Sequence, residues 1–202
     1  MKFNLLNYLV CPACSGDLSS NSGLELCCKE CSRIYLKTSG VWDFRISSNA
    51  QSVPRFYLTK TYRKWRDVFE RIESKNWKIY SNIIYSYFSA AGHRMVAKAL
   101  LSDENKSSIL DVGCGTGMLL KYCSSKNYIG TDMSFGTLVE AAKTYPDATF
   151  VCSDVGVFPF RKNSFSNIVS IHTLEHIYDL AAALELINDR LCEDGLFHYV
   201  IP

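Results

Sequence analysis

Short apolar runs recur through the second half of the chain, the first three closed by a glycine or an acid. They are Ser108 to Val112, Tyr128 to Asp132, Thr149 to Asp154, Ser164 to Ile171 and Leu196 to Ile201. Runs of this length, bounded by turn residues, predict buried strands. The stretches between them read as helices. Met118 to Lys126 is apolar and helix-compatible, and Leu180, Ala183, Leu184, Ile187 and Leu191 fall at helical spacing on one stripe, with Gly195 as the expected C-cap. A helix from His93 to Leu101 leads into the first strand. Strands alternating with helices predict an α/β fold, a Rossmann-like doubly wound and mainly parallel sheet with helices on both faces. Such sheets bind ligands at the carboxyl ends of their strands, where Gly113, Asp132, Asp154 and His172 would meet.

The first half follows another pattern. Cys11-Pro12-Ala13-Cys14 and Cys28-Lys29-Glu30-Cys31 are two C-x-x-C knuckles at the separation of a zinc site. Four thiolates suit a closed tetrahedral structural ion, Zn2+, with no open position for catalysis. Cys27 adjoins Cys28 and is the alternative ligand; the two-residue spacer favours Cys28. A module this small buries too little apolar surface to fold alone, and bound zinc supplies on the order of 10 kcal/mol. A disulfide framework fits poorly, because the nine cysteines are odd in number and no signal peptide precedes them. The expected divisions are residues 1–46 for the ribbon, 47–92 for a linker and helical cap, and 93–202 for the α/β core.

Net charge is +2, unevenly spread. Residues 1–106 carry 16 Lys/Arg against 9 Asp/Glu, and residues 107–202 carry 6 against 11. The basic excess gathers between Arg55 and Lys78, interleaved with Phe56, Tyr57, Tyr62, Trp65, Phe69 and Trp77. Basic and aromatic residues together suit nucleic acid or an anionic small substrate. A cap with a solvated basic face and an aromatic inner face explains them equally and is preferred. No apolar run approaches the roughly 18 residues of a membrane span. Many cysteines and no export signal point to the reducing cytoplasm.

The chemistry concentrates in Asp111-Val112-Gly113-Cys114-Gly115-Thr116-Gly117. Glycine lets the main chain turn sharply and approach a ligand closely. A strand, a glycine turn and a helix start form a nucleotide-binding corner. The third glycine comes one residue earlier than in the dinucleotide pattern G-x-G-x-x-G. Asp132, at the end of the next strand, stands where an acid accepts hydrogen bonds from ribose hydroxyls. The pattern D-x-G-x-G-x-G resembles the first motif of class I S-adenosylmethionine-dependent methyltransferases of the small-molecule type, and the resemblance runs from about His93 to the C-terminus.

That resemblance implies S-adenosylmethionine as cofactor, with Asp111, Gly113, Cys114, Gly115, Gly117, Asp132, Met133, Asp154, Val155 and His172 as its binding residues. Asp154 and Val155 fall on the adenine side. It implies methyl transfer to a small molecule, with RNA as the other acceptor class. The alternative is a non-catalytic binding protein with a vestigial core. His172-x-x-Glu175-His176 matches the string of an inverted zinc protease. That site needs both histidines on one face of a continuous helix, whereas His172 follows a strand. Leu174-Glu175-His176 instead resembles the segment lining the acceptor mouth in small-molecule methyltransferases, and His176 is the candidate catalytic base. Family members continue past the fifth strand, so the expectation is a C-terminally shortened core whose edge is open to a protein partner or self-association. From Leu5 to Phe44 the chain resembles the zinc-ribbon activators of tRNA methyltransferases, through Leu5-Leu6, Leu9, the two knuckles, Leu18, Tyr35 and Gly40-Val41.

Overall fold

The computed structural model describes residues 4–45, 83–102, 108–123 and 127–201. The basic, aromatic stretch between Arg55 and Lys78 lies outside the described residues, and so does the expected linker. Four strands, β1 (Leu18–Ser22), β2 (Glu25–Cys28), β3 (Ile34–Thr38) and β4 (Val41–Asp43), form an antiparallel meander. Then come α1 (Ile83–Ser102), β5 (Ile109–Val112), β6 (Tyr128–Asp132), α2 (Phe135–Thr144), β7 (Thr149–Cys152), β8 (Phe165–Ile171), α3 (Leu180–Arg190) and β9 (Leu191–Val200).

All nine strands join one sheet in the order β1-β2-β3-β4-β7-β6-β5-β8-β9. From β4 onward every neighbouring pair is parallel, so the expected doubly wound, mainly parallel α/β sheet forms. The chain steps outward from β5 to β6 and β7, then crosses back to lay β8 on the other side of β5. Between β5 and β8 lies the switch point where such sheets open a crevice.

Alternation along the strands sorts the core. Leu110, Val112, Ile129, Val151 and Ile168 face one side, packed with Phe158, Phe160, Phe165 and Ile187 and with Leu9, Leu26, Tyr35 and Phe44 of the cysteine module. Ile109, Tyr128, Phe150 and Val169 face the other, under Val96 and Leu100 of α1 and Leu138 and Ala141 of α2. The N-terminal module thus covers part of a sheet face that doubly wound folds cover with helices. Main-chain bonds fasten it there: Val10 N–H donates to Pro159 O (2.9 Å), Arg161 N–H to Tyr8 O (2.8 Å) and Phe44 N–H to Cys152 O (2.9 Å). The Arg161 guanidinium also meets Asp17 at 2.6 Å.

Several local expectations are corrected. The helix expected from Met118 is a single 3-10 turn, Met118–Lys121, entered from a left-handed Gly117 (φ 75°) and held by i→i+3 bonds such as Leu120 N–H to Gly117 O. α1 begins well before His93. On α3 only part of the stripe is inside: Ala183 and Ile187 are buried, while Leu180 and Leu184 are exposed. Gly195 does not cap that helix, which ends at Arg190 and passes directly into extended backbone at Leu191. Leu191 pairs with Phe165 and Leu196 with Asn167, so Cys192 to Gly195 bulge from β9. A Cβ at Gly195 would press within 3.0 Å of Cys192 main-chain atoms in that bulge.

Candidate active site and metal centre

The carboxyl ends of β5, β6, β7 and β8 enclose one cleft. Gly113 and Gly115 form its floor, Asp132 and Met133 one wall, Asp154, Val155 and Phe158 another, and His172, Thr173 and His176 the side beyond β8. Eight of the sequence-predicted residues therefore converge: Gly113, Gly115, Asp132, Met133, Asp154, Val155, His172 and His176. Asp111, Cys114 and Gly117 stand behind the wall rather than on it.

The glycines answer to different constraints. Gly113 (φ 73°) is required by a neighbour: a Cβ there would overlap the side chain of Thr173. Gly115 (φ 53°) faces open space, and its N–H donates to Asp132 Oδ2 at 3.0 Å. Ser134 N–H donates to Asp132 Oδ1 at 2.9 Å. The carboxylate is therefore fixed by main chain on both oxygens, and each oxygen keeps a further lone pair for a hydroxyl donor. Burial pushes its pKa up, against the opposing pull of the Ser134, Gly115 and Met133 amides. Asp154 caps the turn Val155–Val157, accepting from Gly156 N–H at 2.9 Å.

Asp111 has a structural position. It is buried at the end of β5, and the Tyr128 hydroxyl donates to its Oδ2 at 2.7 Å. Burial pushes its carboxyl up to about 7; the Tyr128 hydrogen bond opposes this and the Asp132 charge adds to it. Cys114 is buried beside them, its Sγ 2.7 Å from where a Cβ on Gly130 would sit.

Beyond β8 the backbone turns abruptly. His172 adopts a left-handed conformation (φ 53°), uncommon for a residue with a side chain, and its N–H is pinned to Val200 O at 2.8 Å. Its Nδ1 lies 3.9 Å from Glu175 Oε1. His176 ends the 3-10 turn Leu174–His176. The two histidines thus share no continuous helix, which agrees with rejecting the protease string. Sequence reasoning passed over Thr173 and Phe158 as wall residues. The first lies inside the quoted string, but its contact with Gly113 spans sixty positions and leaves no local mark.

The metal-ligand expectation converges as well. The thiols of Cys11, Cys14, Cys28 and Cys31 lie within 4.8 Å of one another, and Cys27 is not among them. Cys11 to Cys31 is 3.6 Å and Cys14 to Cys28 is 3.5 Å. Four thiolates at the zinc–sulfur distance on a tetrahedron sit about 3.8 Å apart, so this donor set fits zinc. The Tyr35 hydroxyl stands 3.0 Å from Cys11 Sγ and supports it from behind. Among the described residues no other group of three or more such side chains could hold an ion. Nor is any described helix long and apolar enough to cross a membrane.

Residues 110–199 match the family described as "Methyltransferase domain". Human mitochondrial arginine-hydroxylase NDUFAF5 is 29% identical over 109 residues, covering 52% of this chain and 32% of that protein. Human probable tRNA methyltransferase 9B is 28% identical over 127 residues, covering 63% of this chain and 24% of that protein. The chain therefore spans a quarter to a third of the length of these curated relatives. Among solved structures, an S-adenosylmethionine-dependent methyltransferase from Clostridium acetobutylicum superposes with a TM-score of 0.52 at 23% identity, covering 63% of this chain and 56% of that one.

Proposed function

We propose that this chain binds S-adenosylmethionine in the cleft and passes its methyl group to a small molecule, a reading supported by the match of residues 110–199 to a methyltransferase-domain family and by the shared fold. One observation carries the reading: Asp132, fixed by two main-chain amides, stands over the side-chain-free backbone of Gly115. A carboxylate so held is aligned for the two ribose hydroxyls, and bare main chain beneath admits the rest of the nucleoside. Asp154 and Val155 line the adenine end.

The cofactor would supply both the reactive methyl and its own leaving group. What falls to the protein is alignment and the exclusion of water. Phe158 and Val155 make one wall apolar. His176 is within the cleft on the acceptor side and would take a proton from an oxygen or nitrogen acceptor. Zinc in the four-cysteine site holds the ribbon and takes no part in the transfer. RNA is the competing acceptor class, supported by the tRNA methyltransferase relative. The proposed division remains ribbon 1–46, linker and cap 47–92 and core 93–202, and the proposed compartment is the cytoplasm.

Calorimetry with S-adenosylhomocysteine tests the reading. The wild type should bind, and Asp132→Ala should bind at least about tenfold more weakly, since hydrogen bonds to a charged group contribute about 1.5–3 kcal/mol each. Equal affinities would remove Asp132 from the site. For His176→Ala the expectation is lowered turnover at unchanged cofactor affinity, and undiminished turnover would end its role as base.

A further inference from the structure

Thr173 is the first residue of the acceptor-side segment to come back over β5. Its hydroxyl donates toward Gly113 O (3.3 Å) and Ile171 O (3.2 Å), so it ties the end of β8 to the first glycine of the loop. Its side chain also fills the space where Gly113 has no Cβ. These two strands flank the switch point of the sheet, and two side chains bridge their carboxyl ends: Ser170, whose hydroxyl donates to Val112 O at 3.2 Å within the sheet, and Thr173, which reaches the glycine loop itself. On one side of it Gly113 leads to Gly115, whose amide holds Asp132. On the other, Thr173 O accepts from His176 N–H at 2.9 Å, closing the turn that presents His176.

Resting on the cofactor reading above, we propose that Thr173 is a positioning residue that latches the glycine loop to the acceptor-side turn, adding a direct tie between the two halves of the cleft to the main-chain bonds from Gly113 and Cys114 to Thr131 O. The latch has two parts. The hydroxyl fixes the direction of the Gly113 carbonyl. The whole side chain, Oγ1 as well as the methyl and Cβ, occupies the space a Cβ on Gly113 would need, and together with the left-handed φ of 73° this makes glycine necessary at position 113 independently of any ligand. Gly113 and Thr173 therefore act as one unit, and substitutions at the two are not additive.

The test is calorimetric titration of S-adenosylhomocysteine into the zinc-replete chain of residues 1–202, with the melting temperature of the unliganded protein as control. Thr173→Val keeps the shape and removes the hydroxyl. It should weaken binding about tenfold while the melting temperature stays near that of wild type, and Thr173→Ser should restore affinity to within about threefold. Gly113→Ala should weaken binding by about a hundredfold, still within measurable range, and adding Thr173→Gly should recover part of that loss, because the overlap is then gone. Wild-type affinity in Thr173→Val, or strict additivity of Gly113→Ala and Thr173→Gly, would overturn the latch while leaving the cofactor reading intact. Absence of binding by the wild type would instead overturn the cofactor reading, and the latch with it.

Discussion

The cysteine ribbon and the glycine-loop cleft sit on one sheet, yet their interiors are stabilised by different means. In the ribbon, two of the four thiols, Cys11 and Cys28, are themselves part of the apolar core beside Leu9, Tyr35 and Phe44. The other two, Cys14 and Cys31, are exposed. Beneath the glycine loop the space is filled by Asp111, Tyr128 and Cys114, a polar cluster with one short hydrogen bond and an acid pushed toward neutrality. The ribbon's apolar residues are continuous with one face of the sheet, and its four thiols stand close enough together to be tied by a metal ion. The cleft is a set of main-chain directions held by buried polar contacts. Loss of the cross-link should therefore show as lost stability, and loss of a main-chain direction as lost binding.

The ribbon gives the largest expected effect. Cys14→Ser changes an exposed thiol, so it removes a metal ligand without opening the core. Losing about 4 kcal/mol of zinc-linked folding energy would lower the melting temperature by about 8–16 °C in a chain of this size. Metal analysis should show less than one zinc per chain in the variant and one in the wild type. A wild type without stoichiometric metal, or an unchanged melting curve, would break the comparison on the ribbon side.

At the cleft the expectation reverses. Gly115→Val places a side chain whose Cβ meets no neighbour, at a left-handed backbone position costing about 1–2 kcal/mol. Melting should move only a few degrees. Affinity for S-adenosylhomocysteine should drop by about a hundredfold, because the new side chain enters the space the nucleoside needs. Full affinity in Gly115→Val would place the ligand elsewhere.

The smallest effect is a change in pH dependence. Asp111 keeps its proton in the folded chain up to about pH 7, whereas an unfolded aspartate loses it near pH 3.9. The folded state holds the extra proton between these values, so stability falls as pH rises from about 4 through 7. Asp132, also raised, acts in the same direction. Asp111→Asn removes its share of that fall. Urea unfolding should find the variant about 2 kcal/mol more stable than wild type at pH 8 and close to it at pH 4. Parallel profiles for the two proteins would mean that Asp111 is ionised in the folded chain.

How far the sequence could be read follows from the range of each contact. The C-x-x-C spacing and the glycine run are local patterns, and both led to residues that meet in space. Asp132 and Asp154 were legible because strand ends in this fold share one edge. Asp111 shows what a motif position leaves unread: a strand alternates its faces, and the partner of its carboxylate, the Tyr128 hydroxyl, lies on the neighbouring strand. The parallel pairing of β4 with β7 (Val41 opposite Phe150) could not be read, because that partner lies more than a hundred positions away, whereas the antiparallel pairing with β3 is local. Gly195 misled because a glycine after a helix signals a cap, and here it relieves a bulge in β9. Thr173 is the same lesson at the site itself: its meaning lies in Gly113, across the switch point.

The central claim is that Asp132 and the glycine loop receive an adenosyl cofactor. A crystal structure of the zinc-replete chain grown with S-adenosylhomocysteine tests it most directly. The account predicts the ribose hydroxyls on the Asp132 carboxylate, the nucleoside along Gly113 and Gly115, and adenine beside Asp154 and Val155. Ligand bound at another surface, or a cleft closed by side chains in the presence of saturating ligand, would contradict it.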